Sequence, residues 1–161
     1  MDREHLRCAL LNGIAVIFAG MMTAGLALTA VVMRDVYHMA IAEGMPGDYR
    51  GWLMAHLEGL LNGLLVMAMA GAATLRPLPA RRSRVLMWSL IVMGWGNFIG
   101  ALLAPVFSVR GMAYNGDIAN DVVTGIFSVA FIGTLISFYI LIRALSGAGR
   151  LAGPSLAANA D

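Results

Sequence analysis

The stretch from Trp52 to Leu75, WLMAHLEGLLNGLLVMAMAGAATL, decides how the chain is read. It is long and apolar enough to cross a bilayer core about 30 Å thick, which takes ~20 residues of helix. Yet it carries an imidazole, a carboxyl and an amide at His56, Glu58 and Asn62. Leu, Met, Ala and Val surround these groups on every helical face, so no wetted side is left for a soluble helix. The segment therefore predicts a membrane span with polar groups at depth. Composition agrees. Of 161 residues, 60% are apolar and 12% are charged, against roughly 25% charged in soluble domains. So few charges cannot wet a globule of this size, but they can cap a few membrane helices.

Three more stretches qualify as spans: 9–33, 85–104 (closed by Pro105) and 118–142. The first exceeds the apolar core of a signal peptide, about 7–15 residues, and is read as a retained helix. The expected fold is all-α: an integral membrane four-helix bundle over residues 1–145, with its second span at 52–75. Residues 146–161, rich in Gly, Ala and Ser, are expected to form a flexible cytoplasmic tail. Arg3, Arg7, Arg76, Arg81, Arg82, Arg84, Arg143 and Arg150 fall on one side of that arrangement. Only Arg34, Arg50 and Arg110 fall on the other, among Asp35, Glu43, Asp48, Asp117 and Asp121. The positive-inside rule then places both termini in the cytoplasm, in a bacterial-type inner membrane. The net charge of +2 belongs to that bias. No basic stripe with interleaved aromatics points to nucleic acid. The single Cys8 excludes an internal disulfide, a CxxC site and covalent CxxCH haem attachment.

Polar groups inside a span are expensive and are functional candidates by default. His56, Glu58 and Asn62 lie on the second span and Asn97 on the third. At 1.5 Å per residue, Asn62 sits about 15 Å below the start of its helix and Asn97 about 12 Å below Pro105. The antiparallel pair thus brings both amides to similar depth, with His56 above them, and one outer-leaflet pocket is expected to hold all three. At about 100° per residue, Gly59 and Gly63 fall within roughly 60° of His56. They form either a shallow floor for a flat macrocycle beside the imidazole, or a small-xxx-small packing seam. Gly96 and Gly100 on the third span read as a packing seam. His56 reads either as a metal ligand or as an interfacial histidine bonded to Glu58 or water. Asn62 and Asn97 read either as substrate-orienting groups or as a cross-helix bond. Leu10-Leu11-Asn12-Gly13 recurs as Leu60-Leu61-Asn62-Gly63, and Val16 matches Val66; so short a match in apolar sequence does not establish duplication. His5 and His38 lie outside the spans, so a haem held by two histidines is not expected. A metal held through His56 would keep an open position, suited to ligand binding or Lewis-acid chemistry.

The segment Ala55-His56-Leu57-Glu58-Gly59-Leu60-Leu61-Asn62-Gly63 resembles the second-helix signature of the hydroxylaminobenzene mutases, small four-helix membrane proteins. Trp88, Gly94-Trp95-Gly96-Asn97, Ala101-Leu102-Leu103-Ala104 and Arg110-Gly111-Met112 resemble that family's third helix and its continuation. The related styrene-oxide isomerases share Gly51-Trp52-x-x-Ala55-His56, Leu61-Asn62-Gly63 and Gly94-Trp95-x-Asn97. The second resemblance implies a homotrimer with ferric haem b between subunits, His56 as axial ligand, and Asn62 placing the substrate oxygen. It implies rearrangement of an aryl epoxide to an aldehyde with no net redox change. Two functional groups of that family are replaced here: its Asp before the Gly-Trp pair by Met93, and its Tyr six residues after the Trp by Ala101. Glu58 agrees with the mutase pattern.

The expected function is therefore a membrane-embedded mutase that rearranges a hydrophobic arylhydroxylamine, taken from the lipid, into an aminophenol. His56 would hold haem b beside Gly59 and Gly63, Glu58 would shuttle the proton, and Asn62 and Asn97 would orient the N–OH group. The alternatives are a styrene-oxide-type isomerase, a non-catalytic haem-binding membrane protein, and a small transporter coupled through Glu58.

Overall fold

A computed structural model describes residues 1–40 and 43–147. Among them the regular structure is helical, with no strand. Helix α1 (Arg3–Ala19) runs through a π-helical turn, Gly20–Gly25, into α2 (Leu26–Asp35), and the three form one continuous span. Helices α3 (Tyr49–Ala72), α4 (Ala80–Phe107) and α5 (Ile118–Ser146) follow. All four units are long and apolar enough to cross a membrane, which makes this a multi-pass helical membrane protein.

Capping chemistry fixes the boundaries and moves several from their expected places. The first span begins at Arg3 rather than Ala9 because Asp2 caps it, accepting the His5 N–H at 2.9 Å. That N–H bond holds the Asp2 carboxyl below the usual carboxylate range. Asp48 and Asp117 cap α3 and α5 in the same way, accepting from Gly51 N (2.7 Å) and Asn120 N (2.8 Å). Acids on that side of the chain thus satisfy orphan N–H groups at helix starts. Pro105 does not close α4. A proline in the last turn forfeits one backbone bond, and the helix continues to Phe107 before Ser108 turns left-handed at φ 56°. Helix α3 ends at Ala72, short of Leu75, and α5 reaches Ser146. Residues 148–161, most of the expected tail, lie outside the described residues.

The first span, α3 and α4 pack on one another, while α5 lies against α4 and barely touches α3. The bundle is thus a three-helix cluster flanked by α5 rather than a square of four. Without a hydrophobic drive between helices in lipid, close approach of small residues supplies the packing. A Cβ on Gly13 would stand 2.9 Å from Gly63 O, and one on Gly20 would stand 2.8 Å from Gly59 Cα. Between α4 and α5, Gly96 meets Ala130, Gly100 meets Phe127, and the Ser89 and Ser137 hydroxyls bond at 2.7 Å. Above this core Arg34 donates to Met45 O (2.6 Å) and Gly47 O (3.0 Å). Trp52, at the start of the second span, is not an exposed membrane-belt anchor: it is buried and donates to Pro46 O at 2.7 Å. Trp88 is exposed on the outside, as an anchor would be.

Candidate functional site

Helix α3 turns two different faces to its neighbours. One face carries His56, Gly59 and Gly63 to the first span. The other carries Glu58 and Asn62 to α4. Residues 56 and 62 are about 120° apart around a helix of 100° per residue, and this rotation turns His56 away from the two amides that share a depth. The single pocket expected to hold His56, Asn62 and Asn97 together is therefore not formed within one chain.

On the α4 side the polar groups form a directed chain. Asn97 Nδ2 donates to Asn62 Oδ1 at 2.9 Å. Asn62 Nδ2 donates to the Glu58 carbonyl at 2.9 Å and to Glu58 Oε2 at 2.5 Å. The direction is fixed chemically: the Glu58 backbone carbonyl can only accept, so the Asn62 nitrogen must face it. Asn62 is 6% exposed, the most enclosed of the three. Glu58 Oε1 and Asn97 Oδ1 take no hydrogen bond among the described residues. No side-chain nitrogen or oxygen there is both buried and unpartnered, so these two oxygens open to the outside of the helix pair. The chain thus offers an acceptor at each end, one of them a carboxyl, inside a membrane span. Met93 and Ala101 are buried apolar groups in the body of α4. Tyr114 is exposed, its hydroxyl 3.7 Å from where a Cβ on Gly125 would stand.

On the other face, His56 Nδ1 lies 3.4 Å from the Gly20 carbonyl. Its Nε2 has no partner among the described residues and is not buried. The imidazole therefore points one nitrogen at protein and the other at the outside of the bundle. No group of three or more His, Cys, Asp or Glu gathers among the described residues to hold a bare metal ion. A lone imidazole suits a metal whose other ligands come from a macrocycle, and haem fits that donor set. Gly59 and Gly63 do not serve as the floor for it. A Cβ on Gly59 would stand 2.6 Å from Gly20 Cα, and one on Gly63 would stand 2.5 Å from Ile17 Cγ1. The first span already fills that seam, so the glycines are packing groups and a planar ligand on His56 must lie outside them.

Two features of this region escape sequence reasoning: the π-helical turn beside His56, and the bond from Trp95 Nε1 to Asn12 Oδ1 at 3.0 Å. The recurring Leu-Leu-Asn-Gly is the available signal for Asn12. A third cluster, Asp2, His5 and Ser83, is not a catalytic triad. Both Asp2 Oδ2 (2.5 Å) and Ser83 Oγ (3.0 Å) meet the same His5 nitrogen, Nδ1, whereas a triad needs one partner on each nitrogen.

Fold and site together define a polytopic helical membrane protein with a carboxyl–amide–amide chain between two spans and an outward-facing imidazole. A family model described as styrene oxide isomerase matches residues 6–146, which takes in all four spans. The chain belongs to the styrene oxide isomerase family, and membership points to an isomerase. Comparison with individual curated proteins gives no match.

Proposed function

We propose that this protein isomerises a small oxygen-bearing aromatic substrate drawn from the membrane, with no net oxidation or reduction. The observation that carries this reading is the hydrogen-bonded chain Asn97–Asn62–Glu58, which presents free acceptors inside a membrane span of a family of isomerases. Family membership puts an aryl epoxide first as substrate. In that reaction the benzylic C–O bond opens, a hydrogen migrates with its electron pair between adjacent carbons, and the remaining C–O bond becomes a carbonyl. Atoms and electrons balance without water or a redox partner.

His56 Nε2 is the atom that would hold haem b. Ferric haem supplies a Lewis acid for the substrate oxygen. The chain's own contribution is positional: Asn62, fixed from both sides, orients Asn97, and the apolar spans exclude water. His56 and Glu58 face different neighbours, so both act on one substrate only where the His56 face of one copy meets the Glu58 face of another. This supports a homo-oligomer, with the trimer implied by the family resemblance, while the arginine bias between the two sides supports an orientation with both termini in the cytoplasm.

Glu58 favours a second substrate class. Rearranging an arylhydroxylamine to an aminophenol needs a proton delivered to the departing oxygen and one removed from the ring. The Glu58 carboxyl, hydrogen-bonded to Asn62 with its second oxygen open, is placed for such proton handling. Epoxide opening needs neither transfer.

Detergent-purified, haem-loaded protein tests both readings against an aryl epoxide and an arylhydroxylamine. Aldehyde formed from the epoxide establishes the first reading, and aminophenol formed in its place establishes the second. Turnover of neither, with stoichiometric haem on His56, overturns the isomerase proposal. Haem retained at full occupancy in His56→Ala overturns the ligand assignment.

A further inference from the structure

The first span is helical throughout, yet six of its residues, Gly20–Gly25, leave the α register. π-turns are rare, wider than the α-helix, and concentrated where a side chain must be placed. This one lies directly against His56. A Cβ on Gly25 would stand 3.1 Å from His56 Nδ1 and 3.2 Å from Cε1, and the Gly20 carbonyl is the one group that Nδ1 meets. A back-bonding threonine stands at each end of the turn: Thr23, within it, donates Oγ1 to Ala19 O just before it at 2.7 Å, and Thr29, beyond it, donates Oγ1 to Gly25 O, its last residue, at 2.9 Å. Back-bonding hydroxyls of this kind satisfy carbonyls displaced by a register change and hold the helix off its ideal path.

We propose that the π-turn sets the tautomer and tilt of His56, with Gly20 and Gly25 as positioning residues. This rests on the reading of His56 as a ligand and adds how the ring is prepared for it. The Gly20 carbonyl can only accept, so it takes the proton on Nδ1. That leaves the lone pair on Nε2, the nitrogen that opens outward. Gly25 supplies the room: a methyl group there would press on the two ring atoms nearest the carbonyl and swing the imidazole away.

The test uses the full chain in lipid nanodiscs, prepared without haem and labelled with ¹⁵N-histidine. His56→Gln assigns the His56 signals among those of the three histidines. Long-range ¹H–¹⁵N correlations distinguish the two neutral tautomers. The expected result is a neutral ring protonated on Nδ1. Gly25→Ala is expected to lose that signature in favour of the Nε2-protonated form, while Gly71→Ala, whose Cβ would meet nothing within 4 Å, keeps it. A wild-type ring protonated on Nε2 overturns the proposal without reference to any variant. Wild-type ring signals in Gly25→Ala also overturn it. Haem uptake is measured separately. An Nδ1-protonated ring that depends on Gly25, in a chain that takes up no haem, supports the positioning role while removing the ligand reading.

Discussion

Asn12 in the first span and Asn62 in α3 occupy matching posts and do different things. Each donates its amide to the carbonyl four residues earlier, Cys8 O at 3.0 Å and Glu58 O at 2.9 Å. Each accepts from α4, from Trp95 Nε1 at 3.0 Å and Asn97 Nδ2 at 2.9 Å. The next residues, Gly13 and Gly63, face each other across the helix crossing, and Val16 and Val66 both pack where a Cβ on Gly94 would stand. The two arms diverge at their ends. The Asn12 arm ends in a thiol and an indole N–H, which leave no strong acceptor free. The Asn62 arm ends in a carboxyl and an amide, which leave Glu58 Oε1 and Asn97 Oδ1 open. The shared device bonds a span to α4, and the end groups decide whether it also offers chemistry.

Substitution of the two asparagines breaks the comparison most strongly. In Asn62→Leu, Glu58 Oε2 and Asn97 Nδ2 lose their common partner, and kcat/KM for the substrate turned over is expected to fall by about 10²-fold or more. Asn12→Leu is expected to leave kcat/KM within about twofold and to cost about 1 kcal/mol of stability, the order of an interhelical bond in lipid. Steady-state kinetics and unfolding in detergent check both. Equal losses of activity would mean that the arms are not functionally distinct.

The end groups come next. Glu58→Gln keeps an oxygen for Asn62 to donate to and removes the titrating proton. Arylhydroxylamine turnover is expected to drop by about 10²-fold, the usual weight of general acid–base catalysis. Epoxide isomerisation, which transfers no proton, is expected to stay within about threefold by the same reasoning. Cys8→Ala is expected to alter neither rate. An epoxide rate that falls in step with the hydroxylamine rate would assign Glu58 to orientation rather than proton transfer.

Hydropathy alone carries the four spans, because a run of apolar residues as long as a bilayer is thick has few other uses. The ends of the spans are less legible. Asp2, Asp48 and Asp117 read equally well as loop acids or as caps until the backbone they bond is seen. Depth is legible from rise per residue, so Asn62 and Asn97 pair as expected. Depth alone misplaces His56, whose rotation turns it to Gly20 and Gly25 rather than to the amides. The π-turn leaves no periodic signature. An inserted residue in a helix that is apolar on every side shifts no hydrophobic stripe, so Gly20, Thr23, Gly25 and Thr29 read as ordinary span residues. Gly59 and Gly63 are legible as a small-residue face, but what fills that face depends on which helix arrives there, and Gly13, Ile17 and Gly20 do.

The helix crossing itself is not symmetric, and alanine substitutions sharpen this. A Cβ on Gly63 meets two backbone atoms, Gly13 O at 2.6 Å and Ile17 N at 3.0 Å, whereas one on Gly13 meets a single backbone atom, Gly63 O at 2.9 Å, beside Met67 Cγ on a flexible side chain. Gly63→Ala is expected to cost about 1–3 kcal/mol as an overpacked contact, and Gly13→Ala less, because it has one looser backbone contact and Met67 can withdraw. Unfolding of the two variants in the same detergent orders them. The reverse order would mean that the first span, rather than α3, is the rigid partner.

Trp95→Phe gives the smallest expected change and the closest test of how separate the arms are. Phenylalanine keeps an aromatic ring beside Phe98, whose centroid lies 6.2 Å from that of Trp95, and removes only the donor to Asn12 Oδ1. The stability cost is expected near 0.6 kcal/mol, roughly the average for hydrogen bonds between membrane helices. The amide of Asn12 keeps its bond to Cys8 O, so no other group is orphaned. Trp95 stands two residues from Asn97 on the same helix, but its indole turns to the first span while Asn97 turns to α3. Because α4 is continuous through this region, losing the indole bond should not rotate Asn97, and kcat/KM should not move. A fall in kcat/KM with unchanged haem content would show instead that the Asn12 arm holds α4 at the rotation the Asn62 arm requires. The two posts would then be one mechanical unit with its chemistry at one end.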